Sequence, residues 1–246
     1  MQIIPAFVTQ NKCYQAGAPL TPRGIMLHSV GTPQPSARAL VRYMDQYQPG
    51  GQSVCVHAVA QADGTVYQLL PWEMRGWHCG GSANSTHIGV EMTEPSAGMT
   101  RSEAAEQIAG TYHTAVELFA ALCKQYGLDP AQDGVIIGHA EGHRRGVASN
   151  HADPELLWRT YDMGYTMDGF RRDVAEAMKN GAREEALDMP RYDSVAEMPQ
   201  WARAGVQRLI DRGVLSGVGN GKLDLSLDMI RTMIVCQRML DEQKET

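Results

Sequence analysis

Residues 134–158 read GVIIGHAEGHRRGVASNHADPELLW. The apolar run at 135–139 is short, β-branched and opened by a glycine, the pattern of a buried strand, and it ends on His139. A strand end sets a side chain at the rim of a sheet, where sites form. The following residues add Glu141, His143, His151, Asp153 and Glu155, while Gly146, Ser149 and Asn150 make a loop that bends the second half back toward the first. The same strand pattern recurs at 25–28, which ends on His28, and at 54–60, 65–70 and 88–93. Ala62-Asp63-Gly64 forms a hairpin turn between two of these runs. Helical spacing marks 36–47. A longer helix starts at Thr100, where Thr100 and Glu103 make a capping box, continues through Ile108, Tyr112, Ala115, Phe119 and Leu122, and stops at Gly127. Strands interleaved with helices predict an α/β domain over residues 1–180.

The 246 residues leave room for one such domain and a small appendage. Composition, at 43% hydrophobic and 20% charged, excludes disordered and fibrous classes. A net charge of −6 gives no basic field for nucleic acid or anionic lipid, so neither is expected as a partner. Five cysteines without a CxxC do not make a disulfide framework; Cys55, Cys79 and Cys123 read as small buried hydrophobes. No run approaches the ~20 apolar residues of a membrane span. The first residues, MQIIPAFVTQNK, lack the basic and apolar regions of a leader, so the expectation is synthesis in the cytoplasm without a signal peptide. Residues 181–191 read as a charged linker, and 192–246 as a small helical unit with helices at 199–212 and 226–240. Leu209, Ile210, Leu227, Ile230, Met233 and Ile234 form its apolar faces, which suggests self-association into a homodimer or higher oligomer.

The histidines and carboxylates suit zinc. Two imidazoles and one carboxylate make a catalytic set with a fourth position open, whereas magnesium or calcium would want mostly oxygen. Spacing alone does not say which three residues bind.

Five motifs in order add a resemblance: Gly24-Ile-Met-Leu-His28, Val54-Cys-Val-His57 with Ala62-Asp-Gly-Thr-Val66, Arg75-Gly-Trp-His78, His87-Ile-Gly-Val-Glu91, and His139 followed by His151-Ala-Asp153-Pro154. Over residues 20–160 the chain resembles the zinc-dependent N-acetylmuramoyl-L-alanine amidases of type 2, a family that includes phage lysins and peptidoglycan recognition proteins. The resemblance implies a mixed central β-sheet flanked by helices, with one Zn²⁺ held by His28, His139 and Asp153. It implies hydrolysis of the bond between N-acetylmuramic acid and L-alanine in Gram-positive peptidoglycan, by a phage or prophage endolysin that reaches the wall after release, for instance through a holin. Many members carry a Tyr where this chain has Val56; others use the Glu that corresponds to Glu91, which would act as the base. His151 stands where the family often has Lys, and is either an acid-type catalytic group or the third nitrogen ligand. Family position places His57, Trp77 and His78 along the substrate groove, although His57 also reads as a plain strand residue near the site. His87 and His143 read as surface residues or partners of ligands, and Glu141 as a ligand's partner or a loop charge. The alternative function is a peptidoglycan-binding module without catalysis; retention of His28, His139, Asp153 and Glu91 argues against it. The absence of HExxH argues against an unrelated zinc peptidase. Residues 192–217 also resemble a single S-layer homology-type unit, which would bind cell-wall polymer.

Overall fold

The apolar runs pair into a mixed six-stranded sheet ordered β1 (Gln2–Pro5), β4 (Thr65–Gln68), β3 (Ala58–Ala60), β5 (His87–Met92), β2 (Gly24–Ser29) and β6 (Ile136–Gly138). Only the hairpin β3–β4 is antiparallel; the other neighbours run parallel. The computed structural model describes residues 1–46, 54–188 and 191–242. The helices that flank the sheet are α1 (Lys12–Ala16), α2 (Ala37–Asp45), α3 (Arg101–Tyr126), α4 (His139–Arg144), α5 (Glu155–Thr160) and α6 (Met167–Asp188).

Alternation along the central strands decides what each face receives. Ile25 and Leu27 of β2, Ile88, Val90 and Met92 of β5, and Ala58 and Ala60 of β3 face one core, which α3, α5 and α6 cover with Phe119, Trp158 and Phe170. Val59 and Tyr67 face a second core under α2, with Leu40 and Met44. Met26 and Ile137 pack on a small cluster with Cys79 and Ala83. Every residue of β2 is buried, as parallel strands covered on both faces require.

The expected strands are present, three of them shortened: 65–70 to Thr65–Gln68, 135–139 to Ile136–Gly138, and 54–60 most of all. Of residues 54–60 only Ala58–Ala60 pairs as a strand, and Cys55 makes an isolated bridge to Trp77 instead. The edge strand β1 carried no signal, because QIIP is short, mostly exposed and closed by a proline. The capping box at Thr100 and the left-handed cap at Gly127 bound α3 as the sequence indicates. Residues 139–144, read from sequence as a strand end and loop, form α4.

The chain divides into two compact units, Met1–Asn180 and Gly181–Thr246, and the division falls inside α6. The stretch read as a linker is therefore helical as far as Asp188, because Arg183, Glu184, Glu185, Ala186 and Leu187 are all good helix formers; residues 189 and 190 lie outside the described residues. In the second unit, β7 (Arg191–Tyr192) pairs with β8 (Leu225–Ser226), a ladder the sequence did not announce. Helices α7 (Gln200–Asp211) and α8 (Leu227–Glu242) pack on each other. Ile230 and Ile234 are buried in this unit's own core with Ala202 and Val206, and Ile210 and Met233 pack against it. Leu209 is buried as well. The faces that suggested self-association are largely covered inside the unit, which removes that argument from apolar area.

One ion pair ties the start of α4 to its surroundings. Glu141 accepts from both terminal nitrogens of Arg171, at 2.9 and 3.1 Å, and Arg171 also donates to the Ile136 carbonyl at 2.9 Å. Both side chains are mostly buried. Arg171→Ala should cost about 3 kcal/mol, since it strands a carboxylate away from water. Removing Glu141 as well should restore part of the loss. Urea unfolding of the two single variants and the double variant measures this.

Candidate metal centre

Parallel strands β2 and β5 stand in register with His28 opposite Glu91. Their alternation sends both side chains away from the α3 core, to the same face. Strand β6 lies on the other side of β2 and ends at Gly138, so His139 opens α4 beside His28. The loop after α4 then returns. Ala140 N–H donates to the Asp153 carbonyl at 3.1 Å, and Ser29 N–H donates to Asp153 Oδ2 at 3.3 Å. His28 Nδ1 lies 3.0 Å from His139 Nδ1 and 3.2 Å from Asp153 Oδ2, and His139 Nδ1 lies 3.4 Å from Asp153 Oδ1. Among the described residues, these three form a group whose ligand atoms all fall within 4.8 Å of one another.

The hydrogen bonds around the two imidazoles say where their protons are. His78 Nε2 is 3.2 Å from the His87 carbonyl, which can only accept, so His78 carries its proton there. Its Nδ1, 2.9 Å from His28 Nε2, is then the acceptor and His28 the donor. On the other side, Ser149 Oγ donates to the Cys79 carbonyl at 3.0 Å. It is left to accept from His139 Nε2 at 3.3 Å and from His151 Nδ1 at 3.0 Å. Burial pushes the pKa values of His28 and His78 down, which keeps these rings neutral. His28 thus turns an unprotonated Nδ1 toward His139 Nδ1 and Asp153, while the contact of His139 Nε2 with Ser149 aims the other nitrogen of that ring at the same point. Two imidazole nitrogens and one carboxylate converging on one point are a donor set that fits Zn²⁺.

The carboxylates differ in state. Asp153 Oδ2 accepts the Ser29 N–H, which favours an ionised carboxylate in the usual range. Glu91 is pushed well above that range, first by burial and then by the charges of Asp153 and Glu94. Its Oε2 is buried and has no hydrogen-bond partner among the described residues. A cleft of about 610 Å³ opens over the centre, lined by Trp77, His78, Glu91, His139, His151 and Asp153 among others.

The remaining histidines separate clearly. His151 is exposed at the cleft, its ring 4.5 Å from that of His139, with Nδ1 engaged by Ser149. His57, expected along the groove, is fully buried. It donates from Nε2 to the Met74 carbonyl at 2.7 Å and accepts the Gly89 N–H at 2.9 Å, so it has no nitrogen left for a substrate. His87 is buried too, bonded to Thr86 and to the Gly134 carbonyl, and reaches the centre only through its own backbone oxygen. His143 is exposed and Glu141 serves Arg171. Sequence reading took Ser149 only as a loop former, because its tie to two histidines needs the Cys79 carbonyl from far along the chain. Asn84, which accepts from the N–H groups of His78 and Cys79 at 2.9 and 3.0 Å, was missed for the same reason.

The sequence pattern of the N-acetylmuramoyl-L-alanine amidase family, Amidase_2, matches residues 18–156, the span that holds every residue of this centre. No curated protein matches the chain. Similar solved structures include the Staphylococcus aureus hydrolase AmiA in complex with its ligand, at TM-score 0.58 and 20% identity over 74% of this chain and 85% of that one. The catalytic domain of XlyA is similar at TM-score 0.53 and 23% identity, over 71% of this chain and 99% of that one. A mutant endolysin from Bacillus subtilis is similar at TM-score 0.51 and 21% identity, over 71% and 99%. At these identities the likeness is one of fold.

The state of Glu91 gives a test of its burial. With its pKa raised on folding, the residue destabilises the fold progressively as pH climbs from the ordinary carboxylate range through the raised value. In chelator-treated protein, Glu91→Gln should melt higher than the wild type near neutral pH. The two should converge below about pH 4, where both side chains are neutral. Parallel melting curves at every pH would show that Glu91 ionises freely.

Proposed function

Because the chain belongs to the N-acetylmuramoyl-L-alanine amidase family, we propose that it is a zinc hydrolase of the amide bond between N-acetylmuramic acid and L-alanine in Gram-positive peptidoglycan, acting as a phage or prophage endolysin. The observation that carries this reading is the convergence of one nitrogen from each of His28 and His139 with Asp153, on the cleft that also holds the unpartnered Oε2 of Glu91. One zinc per catalytic domain, held by His28, His139 and Asp153, supplies Lewis acidity to the lactyl carbonyl and to the attacking water.

The residues of the chain perform the proton transfers. Glu91, in its ionised form, accepts a proton as water adds to the carbonyl carbon. Its raised pKa brings it toward the operating pH, where a general base works best. His151 donates Nδ1–H to Ser149 and keeps Nε2 for the cleft. In its protonated form it stabilises the oxyanion and gives a proton to the departing L-alanine nitrogen as the C–N bond breaks. Trp77 offers an apolar wall to the sugar and peptide.

No helix among the described residues is long and apolar enough to cross a membrane. The endolysin reading has the protein made in the cytoplasm and released to the wall, for instance through a holin. The second unit then acts as an accessory, either gripping wall polymer or joining copies of the chain.

Digestion of purified walls should release fragments with new L-alanine amino termini and no new reducing sugars; new reducing ends alone would reject the amidase reading. His28→Ala and His139→Ala should each lose zinc. Asp153→Ala should lose it and His151→Ala should keep it, and the reverse result would make His151 the third ligand. Glu91→Ala should keep zinc and lose roughly 10²–10⁴-fold in rate, the size of a general-base contribution. Near-normal turnover in that variant would reduce Glu91 to a strand-end charge.

A further inference from the structure

We propose that His78 is a positioning residue for the metal centre: it dictates which nitrogen of His28 faces the metal. The inference rests on the zinc reading above. His28 has two possible homes for its single ring proton. Asp153 Oδ2, 3.2 Å from Nδ1, pulls it to the nitrogen that must be empty for a metal to bind. His78 Nδ1, 2.9 Å from Nε2, pulls it to the far side. His78 wins only if its own proton is committed elsewhere, and the His87 carbonyl commits it. That carbonyl belongs to β5, the strand paired with β2, so the donor chain begins and ends on one rigid sheet. Ligand histidines usually pass their second N–H to a carboxylate or a carbonyl. Here an intervening imidazole does so and reaches the carbonyl in two steps.

The fold provides His78 with a fitted seat. Its ring lies on β5 at Gly89, where an added Cβ would stand 2.4 Å from His78 Cγ, closer than real Cβ atoms come. Gly89 sits within a paired strand at a conformation open to other residues, so room for this ring is the reason for a glycine. Asn84 is buried, and its side-chain oxygen accepts from the N–H groups of both His78 and Cys79, which fixes the backbone that carries the ring. The rings of His78 and His28 meet edge to face, 5.1 Å between centroids and 77° between planes.

The test compares His78→Leu, which cannot accept a hydrogen bond, with His78→Asn, whose Oδ1 stands near the position of Nδ1. Full-length protein is titrated with zinc against a chromophoric chelator. Ring ¹⁵N shifts report the His28 tautomer in the zinc-free state. His78→Leu should lose roughly 10–100-fold in zinc affinity, the usual cost of removing a ligand's partner, and His28 should move its proton to Nδ1. His78→Asn should recover most of the affinity and keep the proton on Nε2. Gly89→Ala keeps every polar group but displaces the ring, so it should shift both readouts in the direction of His78→Leu, and it serves if that variant fails to fold. Unchanged zinc affinity and an unchanged tautomer in His78→Leu would overturn the proposal, and so would equal losses in the Leu and Asn variants. If the wild type binds no zinc, the zinc reading fails, while the tautomer measurement still decides what His78 does.

Discussion

Two imidazole nitrogens with their lone pairs facing each other at 3.0 Å, and a carboxylate against both, form an arrangement no chain would hold for its own sake. Each group repels the others, and burial removes the water that would screen them. The arrangement persists because each is held from behind. His28 lies on the fully buried strand β2 and is bonded to His78. His139 opens α4, whose first turn is tied down by Glu141 and Arg171, and it is bonded to Ser149. Asp153 is secured through its backbone to Ala140 and through its side chain to Ser29. Such support from behind is what separates a candidate metal site from a chance cluster of ligand-type residues.

The same supports run back to a few close approaches. The segment at His78 and Cys79 serves both ligand histidines, since His78 bonds His28 directly and the Cys79 carbonyl orients Ser149 for His139. Asn84 holds that segment, and the small core of Met26, Cys79, Ala83 and Ile137 seats it on the sheet. Gly81 lets the Val147 carbonyl come within 2.2 Å of where a Cβ would be, so the two loops that frame the centre lie in backbone contact. A substitution at such a glycine would disturb the candidate centre without touching His28, His139 or Asp153.

The charge states follow from the same geometry. Asp153 is half-buried and accepts the Ser29 N–H, which favours its ionised form; Glu91 is desolvated beside the charges of Asp153 and Glu94, and its pKa rises. Two acids on one cleft are thus pushed apart in their charge states. The family motif supplies both residue types, but their difference in state arises from what stands beside each in space.

Much of the centre was legible in the sequence. Short apolar runs ending on His28 and His139 gave strands ending at a rim, the capping box at Thr100 gave α3, and the order of five motifs gave the family. These are local signals, carried by residues a few positions apart. What the tertiary structure alone decided are choices between distant partners. His57 and His78 look alike in the sequence, yet one is consumed by two backbone groups and the other turned toward a ligand. Asp153 and His151 stand two residues apart, and the return of the loop onto Ala140 and Ser149 brings the first among the ligand atoms and leaves the second at the cleft. The closed core of the second unit likewise depends on contacts that hydropathy does not encode. A hydrogen bond is decided by the distance and direction between two groups, and sequence separation carries neither.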